Sequence, residues 1–122
     1  MADTFLAALP PERVPAWDFR APDAAVAPRD SSAGAIAATG LLELARLLPG
    51  KASAEYEAAA RQLLQALSER CATGEAPSED GLLRHATGDL PKGKDIDVSL
   101  IYGDYYFLAA LGKLNGTLKL VW

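Results

Sequence analysis

The sequence predicts an all-α protein whose helices form an inner and an outer layer. Residues 31–48 are apolar on nearly every face of a helix, residues 53–72 on a single stripe, and residues 104–114 again on most faces. A helix that is apolar all round is buried on most sides, whereas a one-sided helix faces solvent. The alternation therefore indicates two concentric layers.

The three predicted helices are too few to close a double layer. The apolar surface of the first and third exceeds what one amphipathic partner can cover, and large uncovered apolar patches mark interaction surfaces. We therefore expect this chain to be part of a larger α/α assembly, or to self-associate through its exposed apolar helices. Residues 1–122 are assigned to one domain of that incomplete kind.

The first apolar helix has clear start and stop signals. Asp30, ahead of Ser31 and Ser32, is a residue type that caps a helix N-terminus by accepting its free N–H groups. The pair Pro49-Gly50 is typical of a helix end. Small residues inside the helix allow neighbouring backbones to approach closely, and these are Ala33, Gly34, Ala37 and Gly40.

The remaining segments follow from similar local signals. Ser53 is the predicted N-cap of the second helix and Asp104 that of the third, while Cys71 is interpreted as a small hydrophobic residue on the apolar stripe. Residues 3–9 are long enough for one or two helical turns. Residues 10–28 contain five prolines and are predicted to form a long, extended or turn-rich connection.

Composition and charge exclude several classes of function. The net charge is −4 without a block of like charge, which argues against nucleic acid or an anionic membrane surface as a partner. The single cysteine cannot form an internal disulfide, and no metal-ligand spacing is present, so neither a metal nor a cofactor is expected. No apolar run reaches the roughly 18 residues that span a bilayer. The N-terminus lacks the basic region of a signal peptide, so a cytoplasmic location is expected.

Four motifs occur in series along the chain: VPAWDFRAPD, RDSSAGAIAATGLLELA, LLRHATGDLP and DVSLIYGDYYFLAAL. Their order and spacing resemble the C-terminal part of unsaturated glucuronyl hydrolases, glycoside hydrolase family 88. The resemblance runs from about Phe5 to the end of the chain. It implies an (α/α)6 barrel of six helical hairpins, the six-hairpin glycosidase type, of which this chain is only the last third. The first and third helices would then be inner helices, and the second an outer one.

The resemblance also implies an activity. Members of the family remove the Δ4,5-unsaturated uronic acid that polysaccharide lyases leave at a non-reducing end. An aspartic acid protonates the C4=C5 vinyl ether, water adds at C5, and the resulting hemiketal opens and releases the remaining sugar. The family's two aspartates lie in the N-terminal half of the barrel, so the resemblance implies that this chain supplies no catalytic residue. The partner of the full-length enzyme would be an unsaturated oligosaccharide.

Five residues are candidates for substrate binding. By the resemblance, His85 of LLRH matches a histidine near the plus-one sugar, and Gly103 of YGDYY matches a residue close to the sugar. The resemblance also implies that Lys92 and Lys94 lie in the segment by which the family distinguishes sulfated from unsulfated substrates. Trp17 offers an aromatic face for stacking on a sugar ring, although it could equally anchor its loop. A lone histidine is commonly structural and a lysine pair commonly just solvated, so those interpretations stay open.

Two positions depart from the family pattern. Ala109 stands where the family often has glutamate, and Arg84 stands where an apolar residue is common. Both departures affect how precisely the chain would position a sugar, and they leave the resemblance to the family unchanged. The competing hypothesis is a stand-alone helical interaction or scaffold protein without catalysis, whose exposed helix faces would bind a partner.

Overall fold

The structure is a computed structural model, and it describes residues 1–23, 25–74, 78 and 80–118. This part of the chain contains four helices and no strand beyond isolated bridges. The all-α class is therefore confirmed. The helices are α1 (Ala2–Ala8), α2 (Ser31–Leu47), α3 (Gly50–Arg70) and α4 (Ile101–Leu114). In the part of the chain that the structure covers, no helix has the length and apolar character that crossing a membrane requires.

Helix α2 begins where its capping signal predicts. The Asp30 carboxylate accepts the Ser32 backbone N–H at 3.1 Å and the Ser32 hydroxyl at 2.6 Å. Asp30 itself has extended backbone, as an N-cap residue requires. The Asp30 prediction is confirmed. The preceding connection is tied to the same point, because the Arg29 guanidinium pairs with Glu12.

The predicted cap of α3 is wrong. The helix begins at Gly50, three residues before Ser53, and its N-cap is Pro49. The Ser53 hydroxyl instead donates to the Ala45 carbonyl oxygen at 2.6 Å. Ser53 therefore ties the first turn of α3 to the last turns of α2 and does not cap its own helix.

The predicted cap of α4 is also wrong. The helix begins at Ile101 with Leu100 as its N-cap, so Asp104 lies inside the first turn. Its two carboxylate oxygens accept the backbone N–H groups of Leu82 and Leu83 at 2.9 and 3.0 Å. Asp104 thus holds a distant loop against α4.

Helix α2 is the central element, since it packs against both α3 and α4 while those two barely touch. Glycine permits both approaches. A Cβ on Gly34 would lie 3.3 Å from the side chains of Leu67 and Pro15, and one on Gly103 would lie 3.0 Å from the Ser32 Cβ. The core between the helices includes Ala35, Ala38, Leu41, Leu63, Leu67, Leu83, Phe107 and Ala110.

One face of α4, together with two positions of α2, is apolar and uncovered by the described residues. On α4, Ile101, Tyr105 and Leu108 are 87, 57 and 56% exposed, and their spacing of four and three residues puts them on a single face. Ile36 and Leu47 of α2 are exposed as well. We call Ile101, Tyr105 and Leu108 the α4 stripe. The apolar helices therefore expose surface that the described residues do not cover.

Cys71 follows α3 and is 1% exposed. Burial raises the pKa of its thiol to about 11, against a smaller lowering by Arg70 and Arg84. Because the thiolate is the reactive form, we expect the native chain to react slowly with a disulfide reagent at neutral pH, and the urea-unfolded chain to react at an ordinary rate. Release of thionitrobenzoate measures both. Rapid native labelling would contradict the packing at the end of α3.

The raised pKa of Cys71 also makes the free energy of unfolding depend on pH. Well below pH 9, the thiol is protonated in both folded and unfolded chains, so it makes no pH-dependent difference to the free energy of unfolding. Between about pH 9 and about pH 11 the unfolded chain loses this proton first, so the free energy of unfolding falls as the pH rises.

Candidate functional site

Residues 85–98 form a narrow antiparallel loop, which we call the 85–98 loop. Ala86 and Val98 exchange two backbone hydrogen bonds, both of 2.9 Å, and the Gly88 N–H donates to the Asp95 carbonyl oxygen at 2.8 Å. These bonds hold the two sides of the loop at a fixed separation. The loop is therefore a defined platform for side chains.

The base of this loop is fixed to the N-terminus of α2. The Ser31 N–H donates to the His85 carbonyl oxygen at 2.9 Å, and the buried Thr87 hydroxyl donates to the Arg29 carbonyl oxygen at 2.9 Å. The Thr87 N–H also reaches the Asp30 carboxylate, at 3.4 Å. The residue that caps α2 therefore also orients the 85–98 loop, a role for which the sequence offers no signal at Thr87.

His85 and Asp97 face each other across the base of the loop. The distance from His85 Nδ1 to Asp97 Oδ1 is 2.6 Å, and both side chains are substantially exposed. The other ring nitrogen, Nε2, has no hydrogen-bond partner among the residues described. His85 and Asp97 have φ values of +63° and +57°, a backbone region uncommon for residues other than glycine. Such conformations cost about 1–3 kcal/mol each and cluster at functional sites.

Sequence reasoning missed Asp97. The usable signal was the turn composition of Pro91-Lys92-Gly93, which predicts a chain reversal. A reversal there places the residues before and after it opposite one another. Asp97 could then have been expected near His85.

The two candidate lysines lie at the tip of the loop and differ in their surroundings. The Lys92 ammonium pairs with the Asp89 carboxylate at 3.1 Å. Lys94 has no ion pair with any residue that the structure describes. Of the two lysines, only Lys94 therefore presents a positive charge that no described carboxylate compensates. A role of either lysine with sulfated sugars stays a prediction.

Gly103 and the segment of Trp17 both meet the N-terminal turn of α2. Gly103 is buried against Ser32, so a glycine here permits close helix packing. The Asp30 N–H donates to the Pro15 carbonyl oxygen, and the Trp17 N–H donates to the Pro28 carbonyl oxygen, both at 2.9 Å. Trp17 itself is partly exposed. The structure thus brings these two predicted residues and His85 to one end of α2, while both lysines lie further out.

Comparison with known structures defines the class of fold. The chain superposes on a crystal structure of an unsaturated glucuronyl hydrolase from Streptococcus agalactiae with a TM-score of 0.90 and 33% identity, over 99% of this chain and 31% of that one. The corresponding structure from Bacillus sp. GL1 gives a TM-score of 0.85 and 38% identity, over 93% of this chain and 30% of that one. The four helices are therefore one segment of an α/α barrel.

Sequence relatives agree with the structural comparison. An unsaturated glucuronyl hydrolase from Formosa agariphila is 41% identical over 106 residues, which is 86% of this chain and 26% of the relative. An unsaturated chondroitin disaccharide hydrolase from Streptococcus agalactiae is 34% identical over 124 residues, covering 100% of this chain and 31% of the relative. No family model matches. The resemblance to unsaturated glucuronyl hydrolases is confirmed, and the chain spans less than a third of the length of these relatives.

Proposed function

We propose that this chain is the C-terminal part of a glycoside hydrolase barrel that removes an unsaturated uronic acid from oligosaccharides by vinyl-ether hydration. In this proposal the chain supplies part of the wall around the leaving sugar. The observation that supports it most directly is the likeness of nearly the whole chain to one segment of unsaturated glucuronyl hydrolases.

The uncovered helix faces support the placement within a larger barrel. The three side chains of the α4 stripe are exposed to solvent. Burying an apolar side chain of this size would stabilise the fold by about 1.5–3 kcal/mol. Further helical hairpins would cover that stripe.

The wall role rests on the side chains gathered near the N-terminus of α2. His85 presents a ring nitrogen without a partner in the described part of the chain. Trp17 is partly exposed and follows Ala16, whose backbone pairs with Arg29 just before α2 begins. A Streptococcus agalactiae relative has been crystallised with dGlcA-GalNAc6S. We propose that His85 contacts the leaving sugar of such a disaccharide and that Lys94 meets its anionic groups as a point charge.

The acid that protonates the vinyl ether is proposed to come from another part of the barrel. Such an acid needs a raised pKa to hold its proton near neutral pH. For Glu43, burial raises the pKa, but the hydrogen bonds and charges of Lys113 and Arg46 outweigh it, so the pKa is lowered. The Asp104 and Asp30 carboxylates are occupied by backbone N–H groups.

The proposal predicts that the chain alone has no turnover. Incubation with an unsaturated disaccharide is expected to leave the ultraviolet absorbance of the C4=C5 enol unchanged. When the chain replaces the matching segment of the Streptococcus agalactiae relative, loss of that absorbance is expected because the barrel is then complete. The relative with its own segment deleted is the matched control.

Turnover by the isolated chain at ordinary enzymatic rates of about 1–10³ s⁻¹ would show that the acid lies within these residues. Sedimentation tests the competing hypothesis of a self-sufficient interaction protein. A compact monomer that melts cooperatively and supports no activity in the chimaera would favour that alternative.

A further inference from the structure

The 85–98 loop pairs its one histidine with Asp97, the first residue of the motif DVSLIYGDYYFLAAL. We infer that Asp97 is a positioning residue that fixes the ring and tautomer of His85, so that Nε2 is presented as a hydrogen-bond acceptor for a sugar hydroxyl. The sugar contact rests on the proposed function, whereas the fixed tautomer does not.

The distance between the two side chains sets the tautomer. A carboxylate can only accept, so the Asp97 oxygen 2.6 Å from His85 Nδ1 requires the proton to be on Nδ1. In the neutral ring the second nitrogen is then a bare acceptor. Nε2 has no partner in the described structure, and His85 is partly exposed. An acceptor in this position recognises a donor such as a sugar hydroxyl.

The backbone explains why the pair is held in place although both residues are partly exposed. An exposed ion pair between flexible side chains contributes little by itself. Here, however, the two hydrogen bonds between Ala86 and Val98 lie directly beside the pair. The Ser31 N–H also fixes the His85 carbonyl. The left-handed conformations of His85 and Asp97 are maintained by this frame, and they direct the two side chains towards each other.

The loop contains a matched control for Asp97. Asp95 lies two residues earlier, has a similar φ of +52° and is exposed, and its carboxylate has no hydrogen bond or ion pair within the described residues. Asn and Gly both tolerate this backbone region. Replacing Asp95 by either removes the same charge with the same backbone demand and leaves His85 untouched.

The test uses nitrogen NMR on the 122-residue chain, in which His85 is the only histidine. In alkaline buffer, where imidazole is neutral, we expect a protonated Nδ1 and a bare Nε2. Asp97→Gly removes the acceptor and Asp97→Asn offers a donor as well as an acceptor, so both are expected to mix the tautomers or shift them towards Nε2–H. Asp95→Gly and Asp95→Asn are expected to leave the wild-type pattern unchanged.

Mixed tautomers in the wild type, an unchanged pattern in both Asp97 variants, or equal effects of the Asp95 variants would each overturn the inference. The sugar contact is tested in the chimaera with the Streptococcus agalactiae relative, because the proposed function needs the complete barrel around the leaving sugar. We expect the KM for an unsaturated disaccharide to rise about three- to ten-fold in the Asp97 variants, the worth of one hydrogen bond, and to stay unchanged in the Asp95 variants. An active chimaera whose KM does not respond to Asp97 substitution would refute the sugar contact of the proposed function and leave the positioning by Asp97 standing.

Discussion

Replacing Leu67 by alanine is expected to lower the free energy of unfolding by about 2–5 kcal/mol. Leu67 is completely buried on α3, and its two methyl groups lie 3.3 and 3.5 Å from the position of a Cβ on Gly34. It therefore fills the space that the glycine leaves on α2. Truncation removes contacts at the crossing of the two helices and leaves a cavity that the main chain cannot readily close.

Urea unfolding followed by helical circular dichroism measures the change for Leu67→Ala. Leu108→Ala is the matched control, because Leu108 belongs to the exposed α4 stripe, and a change within about 0.5 kcal/mol is expected there. Equal destabilisation by the two substitutions would show that the stripe is already covered in solution. A neutral Leu67→Ala would contradict the packing of α3 on α2.

The fold class could be predicted because its determinants are local. The periodicity of α2, the polar face of α3 and the cap at Asp30 all involve residues within a few positions of one another. Ser53 and Asp104 have the same local appearance as Asp30, yet their oxygens bond groups 8 and 22 residues away in sequence. Only the packing of one helix against another element decides that outcome.

The candidate site divides in the same way. A role for His85 could be predicted because it ends the motif LLRH, which is part of the resemblance, and the structure places its side chain partly in solvent. For Asp97, the turn at Pro91-Lys92-Gly93 predicts only that the two sides of the loop lie opposite each other. The contact with His85 also needs both residues in the left-handed region, which a sequence indicates clearly only at glycine. The different surroundings of Lys92 and Lys94 depend on Asp89, which lies on the opposite side of the loop tip.

Removal of the Asp104 carboxylate is expected to be the other large effect. Asp104→Ala is expected to cost about 2–4 kcal/mol of unfolding free energy, since hydrogen bonds to a charged group are worth about 1.5–3 kcal/mol each and this carboxylate is partly solvated. The Leu83 side chain is buried in the core. Without the Asp104 carboxylate, the Leu83 N–H would lose its hydrogen-bond partner next to apolar side chains. Asp104→Asn keeps one acceptor oxygen and is expected to cost about half as much.

Amide hydrogen exchange separates this mechanism from a general loss of stability. Protection of the Leu82 and Leu83 N–H groups is expected to fall in Asp104→Ala by more than protection within α2, because the carboxylate holds the loop directly. Asp80→Ala is the control, since Asp80 is exposed and forms no ion pair or side-chain hydrogen bond with the described residues. Uniform loss of protection throughout the chain would instead show that Asp104 stabilises the whole fold and does not act mainly on the Leu82–Leu83 loop. The same loop continues into His85, so a loosened Leu82–Leu83 segment is also expected to broaden the histidine resonances that report on Asp97.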